Sequence, residues 1–294
     1  VVDPAGLVET LPDPPWPAGF YAETDDLTRG PDTWRGVLSA VCGLHRRLYD
    51  LAGGFDPAIV GYGGEDWDLA WRCEQVGGRL RYVADAVAWH DGPDWSGRDT
   101  ADREERSRKI AEKNIESARL AGLIASPLTR PAGAVFALPS VAVHVHAAAT
   151  EFAAPGTAAA TCISLLTWGD VAVTVDPAGP DAAVIAELFR DDPRVTVAEH
   201  PAWEQDPSPG TGPRRRPPVL VDVHRPCAPG TWDPARVRAL CPPVGSVVLD
   251  GFMLGRAIKV RDFRESGVDI ALDDPAAAPI RKGLSYPSEW YSPA

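Results

Sequence analysis

Two short segments of the chain combine residue types that could do chemistry. In the first, Gly63 and Gly64 lead into Glu65 and Asp66 at the predicted start of a helix. A helix N-terminus stabilises negative charge and lowers the pKa of a carboxyl group, so we expect an ionised base that takes a proton from an attacking hydroxyl. The two glycines would let a substrate approach the backbone. The simpler interpretation is a capped helix whose acids face solvent.

The second segment is an apolar strand over residues 219–223, which ends in Asp222-x-His224. Successive side chains of a strand alternate between faces, so Asp222 and His224 would share one face and could bind one cation. We expect this carboxylate and imidazole pair to suit Mn²⁺ and to leave room for phosphate oxygens. Arg225 and Pro226 argue against the site, because they would crowd it.

Other polar residues lie at the ends of neighbouring predicted strands. Asp176 closes one of them, where α/β sheets bind ligands, and is therefore a candidate substrate-binding residue. In the simpler interpretation Asp176 closes a turn and Asp181 caps the following helix. His144 and His146 share a strand face, but the sequence indicates no third ligand, so we predict that both are structural or exposed.

The elements that must position these residues form two groups. The first group contains a strand near 36–44, helices that begin at Arg46 and Glu65, a strand near 79–83 and a helix over about 100–123. The second group contains strands at 141–145, 171–176, 195–198 and 219–223 and a helix over 181–189, in the alternation of a parallel α/β sheet. We predict a first unit over 1–125, a proline-rich linker over 126–140, a second unit over 141–272 and a tail over 273–294.

The composition limits the classes of molecule that the chain can bind. A chain of 294 residues with 45% hydrophobic residues can bury a core, and its formal charge of -12 disfavours nucleic acid. A bound cation would offset the repulsion of an anionic ligand. No apolar run is long enough for a transmembrane segment. The five cysteines are odd in number and contain no C-x-x-C pair, which indicates reduced thiols and a cytoplasmic protein.

Residues 36–124 resemble the C-terminal, acceptor-binding half of a family 2 glycosyltransferase, which has the GT-A fold, and are also similar to polypeptide N-acetylgalactosaminyltransferases. The motifs that carry the resemblance are, in order, Arg46-Arg47, Ala52-Gly53-Gly54-Phe55-Asp56, Gly63-Gly64-Glu65-Asp66-x-Asp68-Leu69, Arg72, Gly77-Gly78 and Val87-x-x-His90. The resemblance implies that Asp66 is the general base of an inverting transfer, Glu65 an acceptor contact and His90 a metal ligand. It also implies substrate-binding roles for Gly63, Gly64, Trp67 and Arg72.

From Val141 onward the chain resembles, more weakly, the nucleotide-binding N-terminal half of the same fold. Asp222-x-His224 is similar to the Asp-x-His that N-acetylgalactosaminyltransferases use in place of Asp-x-Asp, and Asp176 would then read uracil or ribose. The fold implied is α/β of the GT-A type, with a mixed, mostly parallel sheet flanked by helices and a second, divergent α/β unit. We expect the Asp-x-Asp motif that belongs with the first unit to precede Val1.

The function implied is transfer of a sugar from a nucleoside-diphosphate sugar, most often a UDP-sugar, to a carbohydrate or other hydroxyl acceptor, with Mn²⁺ or Mg²⁺. The two units would form a tandem; in a rarer, permuted arrangement Asp222 and His224 would share one site with Glu65, Asp66 and His90. A degenerate, non-catalytic binding or scaffold module is the alternative function. Metal-dependent hydrolysis would require a compact cluster of histidines and carboxylates, which the sequence does not indicate.

Overall fold

The structure of the protein is a computed structural model. It describes residues 2–3, 6–7, 15–30, 32–61, 63–88, 103–131, 133–202, 213, 215–227, 246–249 and 252–255. The chain divides into two compact units, of which the first covers residues 1–124 and 209–214 and the second covers residues 125–208 and 215–294. Within the described ranges, no helix combines the length and the apolar character that crossing a membrane requires.

The first unit is mainly helical. Strands β1 (Val2–Asp3) and β2 (Gly6–Leu7) pair antiparallel, and the helices are α1 (Pro15–Glu23), α2 (Arg46–Ala52), α3 (Glu65–Gln75) and α4 (Arg103–Leu123). The helices predicted to begin at Arg46 and Glu65 are confirmed. Each ends where glycine follows: Gly53 adopts the left-handed conformation after α2, and Gly77 does so just beyond α3.

Neither strand predicted for the first unit forms. The segment near 36–44 instead makes 3₁₀ turns at Thr33–Gly36 and Ser39–Val41, because the described residues offer no strand beside it to complete a ladder. The first of these turns contains Trp34, whose side chain is buried and only 1% exposed. The segment near 79–83 is held by one backbone hydrogen bond, from Tyr82 N to Asp26 O at 2.9 Å, and by Tyr82 stacked on Tyr21.

A buried ion pair fixes α3 against α2. The Arg72 guanidinium donates to Asp68 Oδ2 at 2.7 Å, and both side chains have no exposed surface. Arg72 also donates to the carbonyl oxygen of Ala52, the last residue of α2. Leu69, on the same face of α3, packs with Ala52 in the small apolar core between these helices.

The second unit is an α/β fold. Its elements are β3 (Val141–Val145), α5 (Thr157–Leu166), β4 (Val171–Val175), α6 (Ala182–Leu188), β5 (Val195–Val197), β6 (Val219–Val223), β7 (Ser246–Leu249) and β8 (Phe252–Gly255). The described strands form one sheet in the order β5-β4-β3-β6-β8-β7. The first four of these are parallel, and β8 is antiparallel to both β6 and β7. The four parallel strands and α6 confirm the elements predicted after residue 141.

The strands at the centre of this sheet are valine-rich because they are buried on both faces. All five residues of β3 and all five of β6 are buried, as expected for parallel strands covered by other elements on each side. The core also takes in Phe152, Cys162 and Leu165 from the segment that follows β3. A continuous apolar strand of this kind makes any polar side chain within it conspicuous.

Two buried aspartates join the loops to the sheet. Asp181 accepts hydrogen bonds from the backbone N–H groups of Gly156, Ala158 and Ala159, so it caps the N-terminus of α5 and not, as predicted, its own helix α6. Asp170 pairs with the Arg130 guanidinium at 2.8 Å. The segment predicted as a linker is therefore anchored to the second unit.

The order of the parallel strands defines where a ligand would bind. In the second unit the chain first forms β3, then adds β4 and β5 on one side of it, and then returns to place β6 on the other side. Open α/β sheets bind ligands outside the carboxyl ends of their strands at the point where this direction reverses. In this sheet that point lies between β3 and β6.

Candidate metal centre at the carboxyl edge of the sheet

Three neighbouring parallel strands each end in a residue that can bind a cation. His146 follows β3, Asp176 follows β4 and His224 follows β6. The strand pairing extends to these positions, because Asp176 N donates to Val145 O at 3.1 Å and His146 N donates to Val223 O at 2.9 Å. The three residues therefore stand at one edge of the sheet.

The side chains at this edge form a connected group, which we call the edge cluster: His144, His146, Asp176, Asp222 and His224. Nε2 of His144 lies 2.8 Å from Asp176 Oδ1, and Nδ1 of His146 lies 3.9 Å from Asp176 Oδ2. Nε2 of His146 lies 2.9 Å from Asp222 Oδ1. The His146 ring stacks on that of His224, with centroids 4.3 Å apart and planes 5° from parallel.

Within this cluster, His144, His146 and Asp176 could hold a metal ion. One ligand atom from each of the three lies within 4.8 Å of the other two. The prediction that both histidines lack a third ligand is therefore wrong, because the pairing of β3 with β4 brings Asp176 beside them. The signal was present in the sequence as a polar residue directly after each of two neighbouring apolar strands.

His144 is held in the form that binds metals. Its side chain is buried and only 7% of the residue is exposed. Burial lowers the pKa of His144, the neighbouring His146 lowers it further, and the bond to Asp176 offsets only part of this effect. The neutral imidazole is the form with a lone pair for a cation. Among the described residues, His144 Nδ1 is a buried nitrogen without a hydrogen-bond partner.

Asp222 and His224 both contact His146. Asp222 is 4% exposed and pairs across the strands with His144, whereas His224 is exposed. Their shared contact with His146 is what the predicted alternation along β6 requires. The predicted direct coordination of one cation by both residues stays a prediction.

In the first unit, Asp66 lies at the start of α3 as predicted, but its electrostatics differ from the prediction. Burial raises the pKa of Asp66, and the Glu65 carboxylate adds to this. Hydrogen bonds from Trp67 N at 2.8 Å and Ser39 N at 3.2 Å lower the pKa without cancelling the effect of burial. The expected lowering of the pKa by the helix N-terminus is therefore wrong for this side chain.

Glu65 has one carboxylate oxygen in contact with the protein and one that is unused. Its Oε1 accepts a hydrogen bond from Ser39 Oγ at 3.2 Å. Its Oε2 is buried and has no hydrogen-bond partner in the described part of the chain. The predicted contact of Glu65 with an acceptor stays a prediction.

Gly63 and Gly64 are required by the fold itself. Both have φ near +90°, where side chains other than glycine are strained. A Cβ on Gly63 would lie 2.7 Å from the Glu116 carboxylate, and one on Gly64 would lie 2.8 Å from Leu120. The space that was predicted to admit substrate is filled by helix α4.

Three further residues of the first unit were predicted to belong to a site: Arg72, Trp67 and His90. Arg72 is fully buried in its pair with Asp68, so it presents no surface to a substrate and the predicted binding role is wrong for this structure. Trp67 is partly exposed and packs edge-on against Trp34, with ring centroids 5.5 Å apart. His90 lies outside the described residues.

Two comparisons of this chain with known proteins found no match. No protein-family model matches it, and no curated protein sequence does so.

Proposed function

We propose that the second unit binds the diphosphate of a nucleoside-diphosphate sugar through a divalent cation, and that the protein is a glycosyltransferase. The observation that carries this proposal is the edge cluster at the point where the strand order reverses. It combines carboxylate and imidazole ligands with the location at which α/β sheets bind nucleotides. Fold alone would not support an activity, whereas a cation site at this edge narrows the chemistry.

The charge of the chain explains why a cation is needed. At a formal charge of -12, the protein repels a diphosphate. A bound divalent cation would neutralise the phosphate oxygens and stabilise the nucleoside diphosphate as it leaves the sugar. His144, His146 and Asp176 are the residues that would hold it, and Asp176 is also the proposed contact to the nucleoside.

Within the first unit, Asp66 is proposed as the general base that takes the proton of the acceptor hydroxyl. Its raised pKa makes it a stronger base than an exposed aspartate, and the Ser39 and Trp67 N–H groups hold its carboxylate in place. Glu65 is proposed to contact another hydroxyl of the same acceptor.

Calorimetric titration of UDP into the whole chain tests the donor site. We expect binding with Mn²⁺ present and much weaker binding after treatment with EDTA, because the cation carries the diphosphate. Asp176→Ala should abolish Mn²⁺-dependent binding. Asp192→Ala is the matched control, since this aspartate precedes β5, at the opposite edge of the sheet, and pairs with Arg194.

Activity is then measured with UDP-glucose and UDP-N-acetylglucosamine by the release of UDP. If Asp66→Asn abolishes the release of UDP but not its binding, this result would support transfer with Asp66 as the base. UDP binding without turnover on any hydroxyl acceptor would favour the non-catalytic module. Absence of cation-dependent UDP binding would contradict the donor site.

Metal-dependent hydrolysis is a second candidate, because the compact cluster of histidines and carboxylates that it requires exists in the second unit. The two activities break different bonds of a UDP-sugar. Transfer breaks the bond between the anomeric carbon and the phosphate oxygen and releases UDP. A hydrolase that adds water across the diphosphate would release UMP and a sugar 1-phosphate, so the nucleotide product separates the two functions.

A further inference from the structure

We infer a division of roles within the edge cluster: His144, His146 and Asp176 are the metal ligands, and Asp222 orients His146 without binding the metal. We further infer that the site prefers a cation of the Zn²⁺ and Co²⁺ class over Mn²⁺ and Mg²⁺. This inference rests on the proposed function only in assuming that a cation binds at this edge. Its test uses the metal alone.

The two ring nitrogens of His146 face different carboxylates. Nδ1 lies 3.9 Å from Asp176 Oδ2, whereas Nε2 lies 2.9 Å from Asp222 Oδ1. A cation with bonds of about 2.0–2.1 Å can bridge ligand atoms up to about 4.2 Å apart. The gap between His146 and Asp176 therefore has the width for a cation, and the gap between His146 and Asp222 has the length of a hydrogen bond.

Asp222 is placed as an orienting carboxylate. A carboxylate accepts a hydrogen bond, so in the metal-bound form Nε2 of His146 would donate to Asp222, and Nδ1 would offer its lone pair on the side of Asp176. Histidines that bind metals commonly donate their other N–H to a carboxylate, which fixes the tautomer and makes the ligand more basic. The burial of Asp222 on β6 keeps it in this position.

The stacking of His224 excludes it from the same coordination sphere. Imidazole binds a cation in the plane of its ring, along the lone pair of a nitrogen. The rings of His146 and His224 are parallel within 5° and stacked with centroids 4.3 Å apart. A cation in the plane of the His146 ring lies outside the plane of the His224 ring.

His144 contacts the other oxygen of the same carboxylate. Its Nε2 lies 2.8 Å from Asp176 Oδ1, so a cation held by both residues would replace this hydrogen bond and bind Nε2. Together with His146, these residues place one ligand atom each within 4.8 Å of the others.

The donor set then determines the class of metal. Two imidazoles and one carboxylate resemble the three-ligand sets of open zinc sites more than the oxygen-rich sites of Mg²⁺. Three protein ligands also leave a position for an oxygen of a bound ligand. The expectation of Mn²⁺ came from Asp222-x-His224 and from the family resemblance, and the imidazoles of His144 and His146 change it.

The experiment is titration of the EDTA-treated whole chain with Co²⁺, followed by visible absorption, and competition by Zn²⁺, Mn²⁺ and Mg²⁺. We expect one Co²⁺ per chain with the visible bands of low-coordinate nitrogen and oxygen ligation, and displacement by Zn²⁺ at lower concentrations than by Mn²⁺ or Mg²⁺. A sulfur-to-cobalt charge-transfer band would reveal binding at cysteines, and this result would contradict the inference.

Two variants separate ligands from the positioning residue. His146→Ala should abolish the Co²⁺ spectrum, whereas Asp222→Asn should keep its bands and weaken affinity by about 10–100-fold. His45→Asn, a change of a histidine in the first unit to another residue suited to cap its helix, is the control and should change neither. Loss of the bands in Asp222→Asn, or an unchanged spectrum in His146→Ala, would overturn the assignment. Zn²⁺ binding without UDP binding would contradict only the proposed function.

Discussion

Asp66 carries two opposing influences on its carboxyl group. Its position in the first turn of α3 and the hydrogen bonds from backbone N–H groups favour the charged form, whereas burial favours the neutral form. Burial is the larger influence, so the pKa of Asp66 is raised from its ordinary value of 3.8. An acid with a raised pKa in the folded protein costs stability whenever it is ionised.

This cost gives a prediction for Asp66→Asn. The folded protein binds the proton of Asp66 more tightly than the unfolded chain does, so wild-type stability declines as the pH rises through the raised pKa. The variant lacks this decline. The free energy of unfolding of the variant, relative to that of the wild type, should therefore increase as the pH rises from about 4 to 7. Urea denaturation measures this difference.

Asp85→Asn is the control for this comparison, because it makes the same change at an exposed aspartate. A variant that instead loses stability relative to the wild type as the pH rises would mean that hydrogen bonds to the charged carboxylate outweigh burial. That outcome would restore the lowered pKa predicted from the sequence.

At the scale of elements, the Asp68–Arg72 pair is a fully buried polar restraint on α3. Both side chains are fully buried, and Arg72 also reaches the end of α2. We predict that Asp68→Ala costs about 3–5 kcal/mol of unfolding free energy, because it leaves the Arg72 charge buried without its carboxylate. Urea denaturation of the whole chain measures this cost.

Helix α2 provides a matched comparison for that variant. Arg46 and Asp50 are also four residues apart, but they are exposed by 83% and 54%. Asp50→Ala should cost far less than Asp68→Ala, because solvent screens exposed pairs on helices. Similar costs for the two variants would show that burial does not control the strength of the inner pair.

Some elements of the fold could be predicted from the sequence, and others could not. Strands β3 and β6 were predictable because five consecutive apolar-dominated residues can be buried on both faces. The 3₁₀ turns at Thr33–Gly36 and Ser39–Val41 were not, because small residues permit either an extended or a turned backbone and tertiary packing of Trp34 decides.

Part of the candidate site could also be predicted from the sequence, and part could not. Asp222-x-His224 was found because both residues belong to one strand. The His144, His146 and Asp176 set joins β3 to β4 across about thirty residues, and it depends on the register that pairs His144 with Thr174. Sequence patterns within one strand do not supply that register, so the ligands looked incomplete.

For the whole molecule, the division into two compact units predicts two unfolding events. The proposed Zn²⁺ site lies in the second unit, so Zn²⁺ should raise the midpoint of one event and leave the other unchanged. At a free concentration of 100 times the dissociation constant, the added stability is about 2.7 kcal/mol, which corresponds to roughly 5–10 °C for a unit of this size.

Variants identify which event belongs to which unit. Asp68→Ala should lower only the event that Zn²⁺ leaves unchanged, because this residue is buried in the first unit. Asp181→Ala should lower only the event that Zn²⁺ raises, because it removes the carboxylate that caps α5 with three backbone hydrogen bonds. Differential scanning calorimetry of the whole chain makes the measurement, and EDTA should reverse the effect of Zn²⁺. A single event that shifts with Zn²⁺ and with both variants would mean that the two units unfold together, because cooperative unfolding passes a gain or a loss in one unit to the other.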